Sequence, residues 1–231
     1  MRIFAISDLH LPAREKPMDI FGSHWENHFE RIAEDWRAKV TEEDIVLLPG
    51  DLTWAMRLED ALEDLERVGC LPGRKLILRG NHDYWWSGIG QVRRALPEGM
   101  YAIQNDAMEL DGVIFCGSRG WTLPGSESAK EDDLKIYERE RLRLEMSLKY
   151  ARRISEEKPL VVMMHYPPFS QACEGFADIL EAYRVDVCVY GHLHGAGLQS
   201  AFNGMRNSVR YCQVSCDGLG FRLRQVIPEE E

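Results

Sequence analysis

The amino-acid sequence predicts an α/β sandwich built on mixed β-sheet. Short apolar runs alternate along the chain with stretches whose apolar residues recur at helical spacing. That is the pattern of strands buried on both faces beneath covering helices. Hairpin-type turn dipeptides occur in the middle and near the end, so the sheet is not purely parallel. A third observation supplies the functional content: five apolar runs end in Asp, Asn or His.

The elements follow in order. Residues 2–7 (RIFAIS) read as a strand. Trp25, Phe29, Ile32, Ala33, Trp36 and Val40 have helical spacing, which predicts an amphipathic helix over about 25–39. Residues 44–49 (DIVLLP) form an apolar strand. Leu58, Ala61, Leu62, Leu65 and Val68 mark a helix that Gly69 stops. Residues 74–79 (RKLILR) are a strand, followed by a short helix near 88–96. Two strands, about 101–110 and 113–117, are joined by an Asp111-Gly112 hairpin turn. A long charged helix over about 130–155 carries a stripe of Leu134, Tyr137, Leu144, Leu148 and Ala151, interrupted by Arg141. It is expected to cover the sheet. Residues 159–164 (PLVVMM) and 186–190 (DVCVY) are buried-type strands separated by a helix near 174–183. Residues 198–227 suggest hairpins turning at Asn203-Gly204 and Asp217-Gly218.

The 231 residues suit one domain spanning 1–231. No apolar run approaches the length of a membrane span. The start turns polar too soon for a secretory signal, so a cytoplasmic protein is expected. The net charge is −10, which disfavours nucleic acid, whose binding needs clustered Lys and Arg. It suits cations. The six cysteines contain no Cys-x-x-Cys pair, so a zinc ribbon is not expected and reduced, buried thiols are. Nothing in the sequence sets the oligomeric state.

The strand ends read Ser7-Asp8-Leu9-His10, Gly50-Asp51-Leu52-Thr53, Gly80-Asn81-His82-Asp83, His165-Tyr166-Pro167-Pro168 and Gly191-His192-Leu193-His194. Five of the seven histidines lie there, at the sheet edge where open α/β folds bind ligands. Asp8, His10, Asp51, Asn81, His165, His192 and His194 offer imidazole nitrogens and hard oxygens, a mixture that Mn, Fe, Zn, Ni or Co accepts. Seven donors exceed one closed tetrahedral site. They suit two divalent ions roughly 3.5–4 Å apart that share a carboxylate. Gly50, Gly80 and Gly191 are expected to let the chain turn sharply and to bring backbone close to the ions.

The ordered set Asp-x-His, Gly-Asp, Gly-Asn-His-Asp, His, Gly-His-x-His, running from residue 8 to 194, resembles the calcineurin-like metallophosphoesterase superfamily, and most closely its small bacterial phosphohydrolases. The resemblance implies a four-layer α/β/β/α fold and a dinuclear phosphoesterase. Asp8, His10, Asp51 and His194 would hold one metal. Asp51, Asn81, His165 and His192 would hold the other, with Asp51 bridging. His82 matches the catalytic histidine, which binds no metal. The expected reaction is in-line attack on a small phosphomonoester or phosphodiester by hydroxide held between the ions, with His82 as proton donor. Asp83 or another carboxylate would hold the tautomer of His82. The Ser/Thr protein phosphatases of the superfamily carry Gly-Asp-x-Val-Asp-Arg-Gly and Gly-Asn-His-Glu. This chain has Gly-Asp-Leu-Thr-Trp-Ala-Met and Gly-Asn-His-Asp instead, which argues against that activity. A scaffold that keeps the fold without catalysis is the reading from another class, and such members lose ligands that are all present here.

Other residues admit two readings. His24 and His28, four apart, are solvated or structural, or else accessory to the site. Trp54, Trp85, Trp86 and Tyr166 wall a pocket or pack the core. Asn81, His82, Arg119 and Trp121 are candidate substrate contacts, and Arg57 is another. The polar segment 118–133 is a candidate substrate lid.

Overall fold

A computed structural model describes residues 1–11, 18–126 and 129–228. The first half runs β1 (Ile3–Ala5), α1 (His28–Lys39), β2 (Ile45–Pro49), α2 (Leu58–Gly69), β3 (Arg74–Leu78), α3 (Ile89–Ala95) and β4 (Met100–Ile103). The second runs β5 (Ala107–Leu110), β6 (Val113–Ser118), α4 (Asp133–Ile154), β7 (Leu160–Met164), α5 (Ala177–Ala182), β8 (Val187–Tyr190), β9 (Gly204–Arg206), β10 (Val209–Gln213) and β11 (Arg224–Ile227). The strands form two mixed sheets, ordered β11-β1-β2-β3-β4 and β5-β6-β7-β8-β10-β9.

Strand alternation makes four layers from these sheets. Ile3, Ile45, Leu47, Leu76 and Leu78 of the first sheet meet Phe115, Val161, Met163, Val187 and Val189 of the second in a core between the sheets. The intervening Phe4, Val46, Leu48 and Ile77 face outward onto Ile32, Trp36, Leu65 and Val68 of α1 and α2. In the second sheet Ile114, Cys116, Val162 and Cys188 face Leu144, Leu148, Ala151 and Leu180 of α4 and α5. Period-two alternation thus gives each strand two apolar faces, both covered. The expected α/β/β/α sandwich is the fold of the chain. Among the described residues no helix is long and apolar enough to cross a membrane.

Several elements differ from expectation. The strand expected over 101–110 is two strands in different sheets, and the chain changes sheet at Gln104–Asp106, where Asn105 has φ 60°. The Asp111-Gly112 turn is as expected: both residues have positive φ and Leu110 pairs with Val113. The late hairpin turns at Asn207-Ser208, not at Asn203-Gly204, and Asp217-Gly218 lies in the passage from β10 to β11, which join different sheets. Leu134, 54% exposed, leaves the predicted apolar stripe of α4, while Arg141 pairs with Asp178 of α5 at 2.7 Å. Within segment 118–133, Trp121 Nε1 donates to Asp133 Oδ1 at 2.8 Å and Leu123 is buried, which ties down these parts of it. Residues 127 and 128 of the candidate lid lie outside the described residues.

Candidate metal centre

Parallel register brings the candidate residues together. Pro49 pairs with Leu78, so Gly50-Asp51 and Arg79-Gly80-Asn81 leave their strands side by side. Met164 pairs with Tyr190, which does the same for His165 and Gly191-His192. Backbone hydrogen bonds extend beyond the strands: Asp8 N–H donates to Gly50 O at 3.0 Å and His10 N–H to Asp51 O at 3.0 Å. The two sheets are stitched at the same edge. Ser7 N–H donates to Val214 O and Cys216 N–H to Ser7 O, while His165 Nδ1 lies 3.0 Å from Pro49 O. The candidate centre sits on this seam.

Tight turns aim the side chains. Asp8, His10, Asp51 and His192 adopt left-handed backbone, with φ of 60°, 43°, 55° and 71°. Such strain in non-glycine residues gathers at functional sites. The glycines divide the two expected duties between them. Gly50 has positive φ, but Gly80 and Gly191 are needed for close approach. A Cβ on Gly80 would strike Asp51 Oδ1, and one on Gly191 would strike Ser7 Oγ and Asp8 Oδ2.

All seven candidate ligands meet there. One group joins Asp8, His10 and His194, and another Asp8, Asp51 and His165, each with donor atoms within 4.8 Å of one another. The two groups share Asp8, and Asp51 Oδ2 also lies 3.9 Å from His10 Nε2. Asn81 Oδ1 is 2.6 Å from His165 Nε2 and 3.0 Å from His192 Nδ1. Second partners set the rings. Pro49 O orients His165, and Asp217 Oδ1 lies 2.9 Å from His194 Nδ1, turning Nε2 toward Asp8 Oδ1 at 3.3 Å.

The donor set fits cations. Asp8 and Asp51 are fully desolvated, yet the described groups that face them are ring nitrogens, backbone N–H groups and the Ser7 hydroxyl. His10 Nδ1 is buried without a hydrogen-bond partner among the described residues. Burial opposes charge on His165, but Asp51 beside it raises its pKa to about 9. Against the same burial, Asp217 and Asp8 raise His194 to about 10. Burial dominates at His10 and His192 and lowers both to about 4. Burial would raise the Asp8 carboxyl, but its hydrogen bond and charge contact with His194 hold it well below the carboxylate range. Two carboxylates thus draw protons onto neighbouring imidazoles, and ligand sets of this kind exchange such protons for a divalent cation.

The other candidates separate. His82 N–H donates to Asp51 Oδ1 at 2.8 Å, its ring lies 4.4 Å from that of Trp54, and Nδ1 is 3.4 Å from the Tyr84 hydroxyl. Asp83 does not take the tautomer-holding position. Its Oδ2 accepts from Gly80 N–H and Asp51 N–H at 2.7 and 2.8 Å, and its Oδ1 from Leu52 N–H and Trp85 Nε1, both at 2.9 Å. It braces the Gly50–Leu52 turn against Gly80. Trp54 stacks on His10 at 4.8 Å and walls the cleft, whereas Trp85 and Trp86 are core residues. His28 is structural, with Nε2 2.8 Å from Leu9 O. His24 lines the cleft with Phe21, Trp25 and Met18. Tyr166 lies against His192 at 4.1 Å, and Trp121 stands behind Tyr166 at 5.3 Å. Arg119 and Arg57 line separate cavities. Sequence reasoning missed Asp217 and Tyr84. Asp217 read as a turn residue, and no local pattern distinguishes a turn aspartate from one that orients a histidine.

The shape of the chain has precedent. Over 97% of its length it matches 95% of the crystal structure of AQ665, a protein of unknown function from Aquifex aeolicus, with a TM-score of 0.50 and 16% identity. That likeness is one of fold. Comparison with curated proteins finds no match. The calcineurin-like phosphoesterase family matches residues 1–196, a span that contains all seven candidate ligands and His82. The chain belongs to the calcineurin-like phosphoesterase family.

Proposed function

We propose that the protein hydrolyses a small phosphomonoester or phosphodiester with two divalent cations. The observation that carries this reading is the convergence of Asp8, His10, Asp51, His165 and His194 into two overlapping donor groups. Asp8, His10, Asp51 and His194 would hold one cation, and Asp51, Asn81, His165 and His192 the other. When bound, the pair supplies Lewis acidity that neutralises phosphoryl charge and lowers the pKa of water. His82 keeps Nδ1 beside Tyr84 and holds on Nε2 the proton given to the leaving oxygen. Trp54 packs on both His10 and His82, which fixes the two rings and excludes water from one side of the cleft. The cleft, of about 330 Å³, is the size of a small ester and is walled partly by Trp25, Phe21 and Met18. A reducing, cytoplasmic setting is supported by six cysteines without a disulfide.

The test is direct. Protein stripped by chelation is reloaded with Mn, Fe, Zn, Ni or Co and assayed on an aryl phosphate and its diester. The expected result is two equivalents of metal per chain and turnover of at least one ester, abolished by chelation. Protein that holds two equivalents of each metal yet turns over neither ester would instead be a scaffold built on this fold.

A further inference from the structure

A second polar cavity, of about 100 Å³, opens at the ends of β3, β4 and β6 and shares no lining residue with the metal cleft. Arg79 follows β3, Arg119 follows β6, and Arg143 reaches in from α4, with Gln104, Asn105 and Glu140 completing the wall.

Its charges do not balance. Glu140, 1% exposed, accepts from Ser118 Oγ at 2.8 Å and from Arg143 Nη1 at 2.6 Å, and lies 3.7 Å from Arg119 Nη2. The Nε of Arg79 is buried without a hydrogen-bond partner among the described residues, and no ion pair of its side chain is among those that engage Glu140. Asp106, next to Asn105, is engaged by Arg93 Nη2 at 2.5 Å and Gln104 N–H at 2.9 Å. Three guanidiniums therefore face one carboxylate, leaving an excess of two positive charges. Like charges gathered in a partly buried cavity favour an anion between them, and a guanidinium fork matches a tetrahedral oxyanion well. Trp121, 4.4 Å beneath Arg119, fixes the orientation of that fork.

We propose that this cavity binds a single phosphoryl-type dianion, outside the metal centre. Its volume is well below the roughly 300–1,000 Å³ of pockets that enclose whole small molecules. The ligand is therefore a free ion or the phosphorylated end of a larger molecule. The site also adjoins the catalytic backbone. Arg79 immediately precedes Gly80-Asn81, and Arg119 O accepts the N–H groups of His165 and Tyr166. An anion that fixes both arginines also fixes the segments that carry Asn81 and His165.

The test uses the full chain, chelated so that no phosphate binds through metal. Thermal unfolding is followed against inorganic phosphate, with chloride at matched ionic strength as reference. The expected result is a Tm increase of about 3–5 °C at ten times the Kd, lost in both Arg79→Gln and Arg143→Gln. Arg143 is partly exposed on α4, so its replacement keeps the test open even where Arg79→Gln fails to fold. Glycerol phosphate distinguishes the two sources. An equal rise identifies a phosphorylated molecule, and a rise with inorganic phosphate alone identifies a free ion. No rise, a rise matched by chloride, or one undiminished in Arg143→Gln overturns the proposal.

Discussion

Strand β2 is bracketed by two aspartates of equal burial and opposite character. Asp44 precedes it and Asp51 follows it, each 2% exposed. Asp44 is completed within the chain. Its oxygens accept from Arg2 N–H and Arg2 Nη2, both at 2.7 Å, and from Thr41 N–H and Oγ1 at 2.9 and 3.0 Å. Asp51 is held in left-handed backbone, with one oxygen on His82 N–H and the other aimed at His165 and His10 at 3.4 and 3.9 Å. The difference separates two uses of a buried carboxylate. At the N-terminal edge of the sheet it ties strands together, and at the C-terminal edge it joins a candidate cation site.

The sharpest way to break this contrast is Asp51→Ala. Metal content is expected to fall below two equivalents and turnover to background, both read on one sample by metal analysis and ester hydrolysis. The metal-free variant is expected to unfold no earlier than the metal-free parent, because the replacement removes a buried charge. A variant with two equivalents and full turnover would place Asp51 beside Asp44 as a structural group. His82→Ala comes next. It is expected to keep both equivalents and lose about 10²-fold or more in turnover. The loss should be larger for an alkyl than for an aryl phosphate, whose leaving group needs less protonation. Loss of metal in this variant would make His82 a ligand.

The Asp51 end of the comparison was the more legible in sequence. Five apolar runs ending in Asp, Asn or His announced both the sheet edge and the donor chemistry, because a parallel sheet delivers all its strand ends to one side. The layers were legible through alternation, as in Ile45 and Leu47 against Val46 and Leu48. What sequence missed depends on pairing at a distance. Nothing in residues 101–110 signals that the chain leaves one sheet for the other at Asn105. Asp83 stood next to His82 in sequence, yet its carboxylate points into the backbone of the Gly50–Leu52 turn. Asp217 reaches His194 across 23 residues.

Asp217→Ala therefore tests whether an orienting carboxylate belongs with the metal edge. Apparent metal affinity or turnover is expected to fall about 10–100-fold, read by titrating Mn into chelated protein under assay. The fold, followed by denaturant midpoint in the metal-free state, should change little. An unchanged metal titration would leave the Asp217–His194 contact a local tie, as at Asp44.

The smallest effect is expected at Asp44 itself. Asp44→Asn removes a charged acceptor that unites the starts of β1 and β2, and is expected to cost about 1–3 kcal/mol of stability. Turnover of metal-loaded protein should stay as in the parent. The dependence on pH follows from the sign of the shift. Burial favours the neutral acid, but the Arg2 and Thr41 hydrogen bonds override it and hold the folded pKa below the usual carboxylate value. The carboxylate therefore stabilises the fold fully at neutral pH. Its contribution shrinks as pH falls below the unfolded value of about 4, and it is gone once the folded carboxyl is protonated. Urea midpoints for parent and variant should lie furthest apart near pH 7 and converge below about pH 4. A gap that stays constant with pH would mean that Arg2 and Thr41 hold Asn as firmly as Asp, so that the charge of Asp44 is incidental to its grip.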